Sequence, residues 1–512
     1  TRRGFIWAGT LFATAAALPP GAVAQGSILR IRSNQDIQVI DPGWMIGGTE
    51  IDAQYACLGS LAIYDPGETL KWRPSPFVVK VEQVDDRHIA FELKPGIKWS
   101  GDFGELTAED VKYSYERIAN PANEAPWKVK WDALDHVEVT GTYTGTVILK
   151  QPFVPIWFTT ICDGPGSIVC KKAVEAAGGR FTTEFPAVCG PYRIKRWVPK
   201  QVLELERNPL WSGEQPAFDE VHVVFITDPK AAELAYEAGE VSFCHVSLDS
   251  LPSYKSNPPA GSKLYEGSGL DWTWLGMNTQ HTKLQDIKVR RAIQHAIDVN
   301  TIIAAGYGGA AEARARGIVP PGLIGHRTTT MFEEADLEKA AGFLEEAGVQ
   351  DLNLTLAILN NSLNRTSAQI VQANLAEIGI TVEIIPMDEG PFWSLGSEEA
   401  GDAWKDLQLY IHRYQDSPDP SQCTQWYLSS QVGIWNWERW ASPEFDELHA
   451  QALQETDPAK RNDIYIRMQE LMEEGAGYMF LAHEPVAIVY RDDLVPAILP
   501  PDHPYLSHFK RA

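Results

Sequence analysis

The chain switches repeatedly between two hydrophobic periods. From Asp336 to Gly348 the apolar positions Leu337, Ala340, Ala341 and Leu344 form one helical stripe. Leu352, Leu354, Leu356 and Ile358 then alternate with Asn353, Thr355 and Ala357, as in a strand. The pair recurs: Ile370, Val371, Leu375 and Ile378 run up to Gly379, after which Ile380, Val382 and Ile384 alternate with Thr381 and Glu383. Helix followed by strand, twice over, predicts an α/β sheet. Another amphipathic helix begins near Asp286, with Val289, Ile293, Ala296 and Ile297 on one face, and is predicted to continue to Gly306, Gly308 and Gly309.

The first third reads differently. Residues 71–105 and 136–150 carry short alternating runs, such as HIAFEL at 88–93 and TVILK at 146–150, which predict strands. A helix over 107–119 is announced by TAED: Thr107 caps the first turn, Asp110 returns the bond, and Val111, Tyr115 and Ile118 share a face. Ser442-Pro443 and Asp457-Pro458 mark two later helix starts, because proline suits a first turn whose N–H would be unpaired anyway. Met479 to Tyr490 then reads as an apolar strand. There is no internal repeat, low-complexity tract or long Pro-rich linker to mark domain boundaries.

At 512 residues the chain exceeds one compact core, and a prior of roughly 150 residues per domain suggests about three units. A formal charge of −24 changes the range of partners. A surface of that sign repels phosphate backbones, and no concentrated basic patch offsets it, so no nucleic acid is expected. The N-terminus predicts export. TRRGFIW, an apolar run broken by Gly9, Thr10 and Thr14, and small Ala22 and Ala24 before Gln25 are the parts of a secretory signal peptide over residues 1–24. The apolar stretch is shorter than the roughly 20 residues that cross a bilayer. Arg2-Arg3 followed by Gly4-Phe5 resembles a twin-arginine signal. No cysteine follows the small residues, so the mature protein is expected to be unlipidated and periplasmic.

Cys57, Cys162, Cys170, Cys189, Cys244 and Cys423 allow about 15 full pairings; structural bridges and buried thiols are both compatible with that compartment. Their spacing holds no CxxC or paired Cys/His cluster, so no metal site is predicted and no cofactor is expected. HExxH, GxSxG and GxxxxGK[ST] are absent, and nothing assembles a nucleophile with its base. The chain is therefore not expected to be an enzyme; a secreted hydrolase is the alternative of a different class.

Several stretches carry more specific information. ELKPGIKWS (92–100) leads into LTAEDVKYSYERI (106–118), with Asp110, Val111, Ser114 and Arg117 in place. CGPYRIKRW (189–197) and LELERNPLW (203–211) follow, then LGMNTQHTKLQDIKVRRAIQHAID (275–298). GIVPPG (317–322), LAEIGITVEI (375–384), SPEFDEL (442–448) and TDPAKRNDIY (456–465) complete the series. Across nearly the whole mature chain these resemble bacterial ABC transporter solute-binding proteins of family 5, the dipeptide, oligopeptide and nickel-binding type of structural cluster C. The resemblance implies a two-lobed, periplasmic-binding-protein-like α/β fold of type II. Lobe I would comprise 27–50, 188–268 and 478–512, with an extra small α+β domain over 51–187, and lobe II would comprise 269–477. It further implies a monomer that captures a short peptide, or alternatively an opine or oligosaccharide, and delivers it to a membrane permease. A ligand favours closure only by binding the closed form better, which places the site in the cleft.

Residues carry over one at a time. In DLQLYIHRYQDSPDPS (406–421), Asp416 stands where peptide-binding members pair an acid with the ligand's α-amino group; its other reading is a cap for the Ser417-Pro418 turn. Arg413, beside His412, stands where those members usually carry tryptophan, and its fork of donors suits a carboxylate or vicinal oxygens. Another usual tryptophan falls near Pro391, with Phe392 and Trp393 adjacent. Arg365 lies in a region that holds a ligand carboxylate in some members. Among the 17 tryptophans, Trp44 and Trp272 are the preferred aromatic contacts by resemblance, followed by Trp435 and Trp437.

Overall fold

The computed structural model describes residues 27–66, 70–307, 313–415, 417–500 and 502–512. The expected signal peptide over 1–24 and the expected ligand acid Asp416 lie outside the described residues. β1 (Ile28–Ser33) opens a ten-stranded sheet. A separate antiparallel sheet follows, built from β2 (Val78–Asp85), β3 (His88–Leu93), β4 (Leu134–Val139) and β5 (Thr144–Leu149) in the order β2-β3-β5-β4. The chain then returns to the large sheet with β6 (Tyr192–Val198), β7 (Val202–Arg207), β8 (Glu220–Phe225), β9 (Phe243–His245) and β10 (Ser262–Met277). After these come β11 (Leu352–Leu359), β12 (Ile380–Met387), β13 (Leu409–Tyr414) and β14 (Tyr478–Arg491), giving the order β12-β11-β13-β10-β14-β9-β1-β8-β7-β6.

β10 and β14 serve both halves of this sheet. Ser262–Ser268 pairs with Pro485–Arg491, next to β9, whereas Trp272–Gly276 pairs with Tyr478–His483, next to β13. A register shift separates the two pairings. Gly269 sits within it, where a Cβ would fall 2.4 Å from the Glu484 carbonyl oxygen, so only glycine lets the strands approach there.

The apolar side chains divide in the same way. Leu29, Ile31, Leu203, Leu205, Val221 and Val223 share one core with Phe91, Val111, Tyr115 and Val147 of the small α+β unit. Val289, Ile293, Leu356, Val371 and Val382 form a second, and Trp274, Phe445, Tyr465, Met468 and Phe480 a third. Each such side chain stabilises its body by roughly 1.5–3 kcal/mol when fully buried.

Local signals act as their chemistry requires. Helix Ala108–Ala119 begins after Thr107, whose backbone N–H donates to Asp110 Oδ2 at 2.9 Å. Helix Leu337–Ala347 ends at Gly348, in the left-handed region at φ 66°. The helix expected to run from Asp286 to the glycines is instead two, Ile287–Ala296 and Val299–Gly306. Asp298 divides them by turning its carboxylate to the Thr301 N–H at 3.1 Å, which starts a new first turn. All six cysteines are buried, and Cys57, Cys162, Cys170, Cys189 and Cys244 are free thiols, so for these five the structure takes the second of the two readings left open.

Candidate functional site

Between the two halves lies a cleft of about 630 Å³. Its position follows from sheet topology, because β1 runs parallel to β8 and β9, and β13 runs parallel to β11. Side chains just beyond the carboxyl ends of parallel strands face outward at such edges. Arg32 to Gln35 and His245 therefore enter the cleft from one half, and Arg413 and Gln415 from the other. Met45, Ile46, Trp127 and Val129 add an apolar wall, faced by Trp426. The Trp426 indole N–H has no acceptor among the described residues. Gly47 and Gly48 let the wall pack closely: a Cβ at Gly47 would lie 2.5 Å from Gln35 Oε1, and one at Gly48 2.6 Å from His503 Cε1.

The lining charges form partnered sets. His503 Nδ1 lies 2.9 Å from Asp52, and His245 Nε2 lies 3.0 Å from Asp502. Lys130 Nζ lies 3.8 Å from Asp163, and Arg413 lies 3.7 Å from Asp271 and 3.1 Å from Glu484. Burial alone would pull the His503 imidazolium down, but Asp52 carries its pKa up to about 9. Burial pushes the Asp271 carboxyl up to about 7 even with Arg413 beside it. Arg413 is half-exposed, and its partial desolvation is outweighed by Glu484 and Asp271, which raise its pKa.

Several contacts join the walls across the cleft and its margins. Lys130 donates to Gln422 Oε1 at 2.9 Å, and the Val154 N–H donates to the Leu453 carbonyl at 2.9 Å. Ser362 donates to Asp249 on the opposite side, and Leu70 packs on the third core. The two bodies are thus held close together.

Of the residues expected to contact a ligand, Arg413 alone is in the described lining. Its guanidinium is half-exposed and lies within 4 Å of two carboxylates, Asp271 and Glu484. Arg365 is exposed and bonded to Asn360, outside the cleft. Trp44 is buried, with Arg117 and Arg180 over its ring at 5.2 and 5.0 Å. Trp272 is buried and donates to the Tyr427 hydroxyl at 2.7 Å. Trp437 is buried against Phe392 and Tyr410. Trp393 and Trp435 are partly exposed but outside the lining. The aromatic positions in the walls are Trp127, Trp426, Tyr55 and Tyr64. Nothing in their local sequence sets them apart from core aromatics, so sequence reasoning passed over them. Asp419, three residues beyond Asp416, is buried with Arg461 at 2.8 and 2.9 Å and caps the following helix.

Among the described residues no group of His, Cys, Asp and Glu is placed to hold a metal ion, and no helix is long and apolar enough to cross a membrane. The family model for bacterial extracellular solute-binding proteins, family 5 Middle, matches residues 73–435. A probable D,D-dipeptide-binding periplasmic protein, DdpA of Escherichia coli, is 26% identical over 484 residues, covering 90% of this chain and 89% of that protein. Di/tripeptide-binding protein 4 of Pseudomonas aeruginosa is 28% identical over 471 residues, covering 85% and 84%. Among solved structures, the ABC transporter substrate-binding protein CtaP of Listeria monocytogenes superposes with a TM-score of 0.83 at 20% identity, covering 95% of this chain and 99% of that one.

Proposed function

Because the chain belongs to family 5 of the bacterial extracellular solute-binding proteins, the ligand-capturing components of ABC importers, we propose that its cleft takes a short peptide. The relatives named for dipeptides and tripeptides support that ligand class. The observation that carries the reading is the composition of the walls. Ser33, Met45 and Trp127 come from one half and Gln415, Gln422 and Trp426 from the other, so a guest touching both favours the closed arrangement by its differential affinity. Asp416 is bracketed in sequence by Gln415 and Ser417, which both line the cleft, and in this reading it accepts the ligand's ammonium group. Residues 27–50, 188–268 and 478–512 act as the first lobe, 51–187 as its extra domain and 269–477 as the second lobe. The mature protein works as a periplasmic monomer, exported by the twin-arginine route, and delivers its ligand to a membrane permease without chemical change. The crossing strands β10 and β14, with their register shift, serve as the hinge.

The test combines tryptophan fluorescence with solution scattering while dipeptides and tripeptides are added, with an opine and a trisaccharide run alongside. Saturable fluorescence change and compaction with peptides alone are expected. Response to the opine or trisaccharide alone refutes the peptide assignment, and conversion of any compound into product refutes the transport reading.

A further inference from the structure

Among the described residues, the charges that line the cleft leave one cation over. Asp52, Asp163, Asp271 and Asp502 have His503, Lys130, Arg413 and His245, respectively, within 4 Å. Arg32 also lines the cleft, yet among the described residues no carboxylate lies within 4 Å of its guanidinium. It is 9% exposed. Nε donates to the Ile226 carbonyl at 2.9 Å and Nη2 to the Thr227 carbonyl at 3.1 Å, while Nη1 has no described acceptor. These bonds follow from topology: Ser33 pairs with Phe225 in the parallel β1–β8 ladder, so the carbonyls just beyond β8 lie within reach of Arg32 at the end of β1.

From this arrangement we infer that Arg32 is the anion subsite of the cleft and receives a carboxylate of the bound compound. Neutral carbonyls fix the fork without cancelling its charge, so little ordering cost remains when a carboxylate arrives. Burial disfavours the isolated guanidinium, and the nearby Asp228 and Glu233 soften this without forming an ion pair. A ligand carboxylate relieves that cost directly. Arg413 does not compete for this role, because a ligand carboxylate beside it would meet Asp271 and Glu484 as well. For a peptide the recognised group is the C-terminal carboxylate; this deepens the peptide reading and, in that form, rests on it.

Calorimetric titration of the mature chain with Ala-Leu and with its C-terminal amide tests the assignment. Octopine and glucuronate are titrated in parallel as acids that are not peptides. The free acid is expected to bind roughly 10- to 100-fold tighter than the amide, the range that a charge-assisted hydrogen bond supplies. In Arg32→Gln, which keeps amide donors for the two carbonyls, acid and amide affinities should converge at the level of the wild-type amide. Equal wild-type affinities for acid and amide overturn the assignment, whether or not the variant folds, and so does discrimination that survives in a folded Arg32→Gln. If neither peptide binds but octopine or glucuronate binds in an Arg32-dependent way, the peptide reading fails and the anion subsite stands. Failure of every acid to bind overturns the subsite.

Discussion

Replacing Glu438 with glutamine should change the pH profile of stability in a calculable way. Glu438 is fully buried, with no ion-pair partner among the described residues. Oε1 accepts the Trp274 indole N–H at 2.6 Å, Oε2 has no hydrogen-bond partner among the described residues, and the Tyr410 and Tyr478 hydroxyls stand close by. Gly276 makes room for it, since a Cβ there would lie 2.6 Å from Oε1. Burial pushes the carboxyl up from its ordinary 4.5 to about 7, against the hydrogen bonds around it. The folded state therefore holds the proton more tightly than the unfolded state does. Stability is lost as pH rises from about 4.5 through about 7, because unfolding then releases a proton. Between pH 5 and pH 8 that loss comes to about 2–3 kcal/mol. Glutamine keeps the acceptor for Trp274 but cannot ionise, so Glu438→Gln should gain on the wild type by that amount over the same interval. With an unfolding entropy of roughly 2.1 cal/mol/K per residue, the relative gain in Tm is about 2 °C if the chain unfolds as one unit. Thermal scans of both proteins at pH 5, 6, 7 and 8 read this directly. Other groups, Asp271 included, titrate in both proteins and cancel in the difference. A difference in Tm that stays flat across the series, or that moves against the variant as pH rises, refutes the reasoning.

Three further outcomes are expected. Asp416→Ala should weaken a peptide with a free amino terminus by about 3–5 kcal/mol, or more than roughly a hundredfold, while an N-acetylated peptide loses little; calorimetry giving equal losses for both would remove Asp416 from the amine site. Asp41→Ala should cost about 3–5 kcal/mol of stability in denaturant unfolding, since Arg117, paired with Asp41 at 2.6 and 3.0 Å beneath Trp44, would be left as an uncompensated buried charge; a cost below about 1 kcal/mol would mean the site is more hydrated than its burial implies. Lys130→Ala removes the donor to Gln422 at 2.9 Å and should expand the unliganded particle in solution scattering and weaken peptide binding roughly 3- to 10-fold; unchanged scattering and affinity together would show that this contact contributes nothing to closure.

Much of the architecture was legible from residue order because its signals are local. The alternation at Leu352–Ile358 and Ile380–Ile384, and the helices before each, depend on whether a side chain faces the core of its own element. Asp336, Ser442 and Asp457 act as caps through bonds that reach no further than three residues. Such features survive whatever the rest of the chain does. The division of the Asp286 helix was missed because Asp298 reads as a polar face residue until its carboxylate is seen to start a second helix.

The cleft was far less legible. The tryptophans expected there by resemblance are instead held by the packing of particular neighbours, Arg117 over Trp44 and Tyr427 against Trp272. Trp127 and Trp426 lie 299 residues apart in number and meet one cavity only because two bodies face each other across strands β10 and β14. The same holds for charge. The fork of Arg413 suits a carboxylate in the sequence, and only the fold shows that Asp271 and Glu484 come to it from β10 and β14. Arg32 is an unremarked strand arginine until, among the described residues, the pairing of the other lining charges leaves it without a carboxylate partner. What the sequence determined by itself was the class of fold, its elements and its family, because these rest on periodicity and short-range bonding. Only the tertiary structure decided which charges face the cleft unpaired, because electrostatic partnership depends on distance through space and this fold brings together residues hundreds of positions apart.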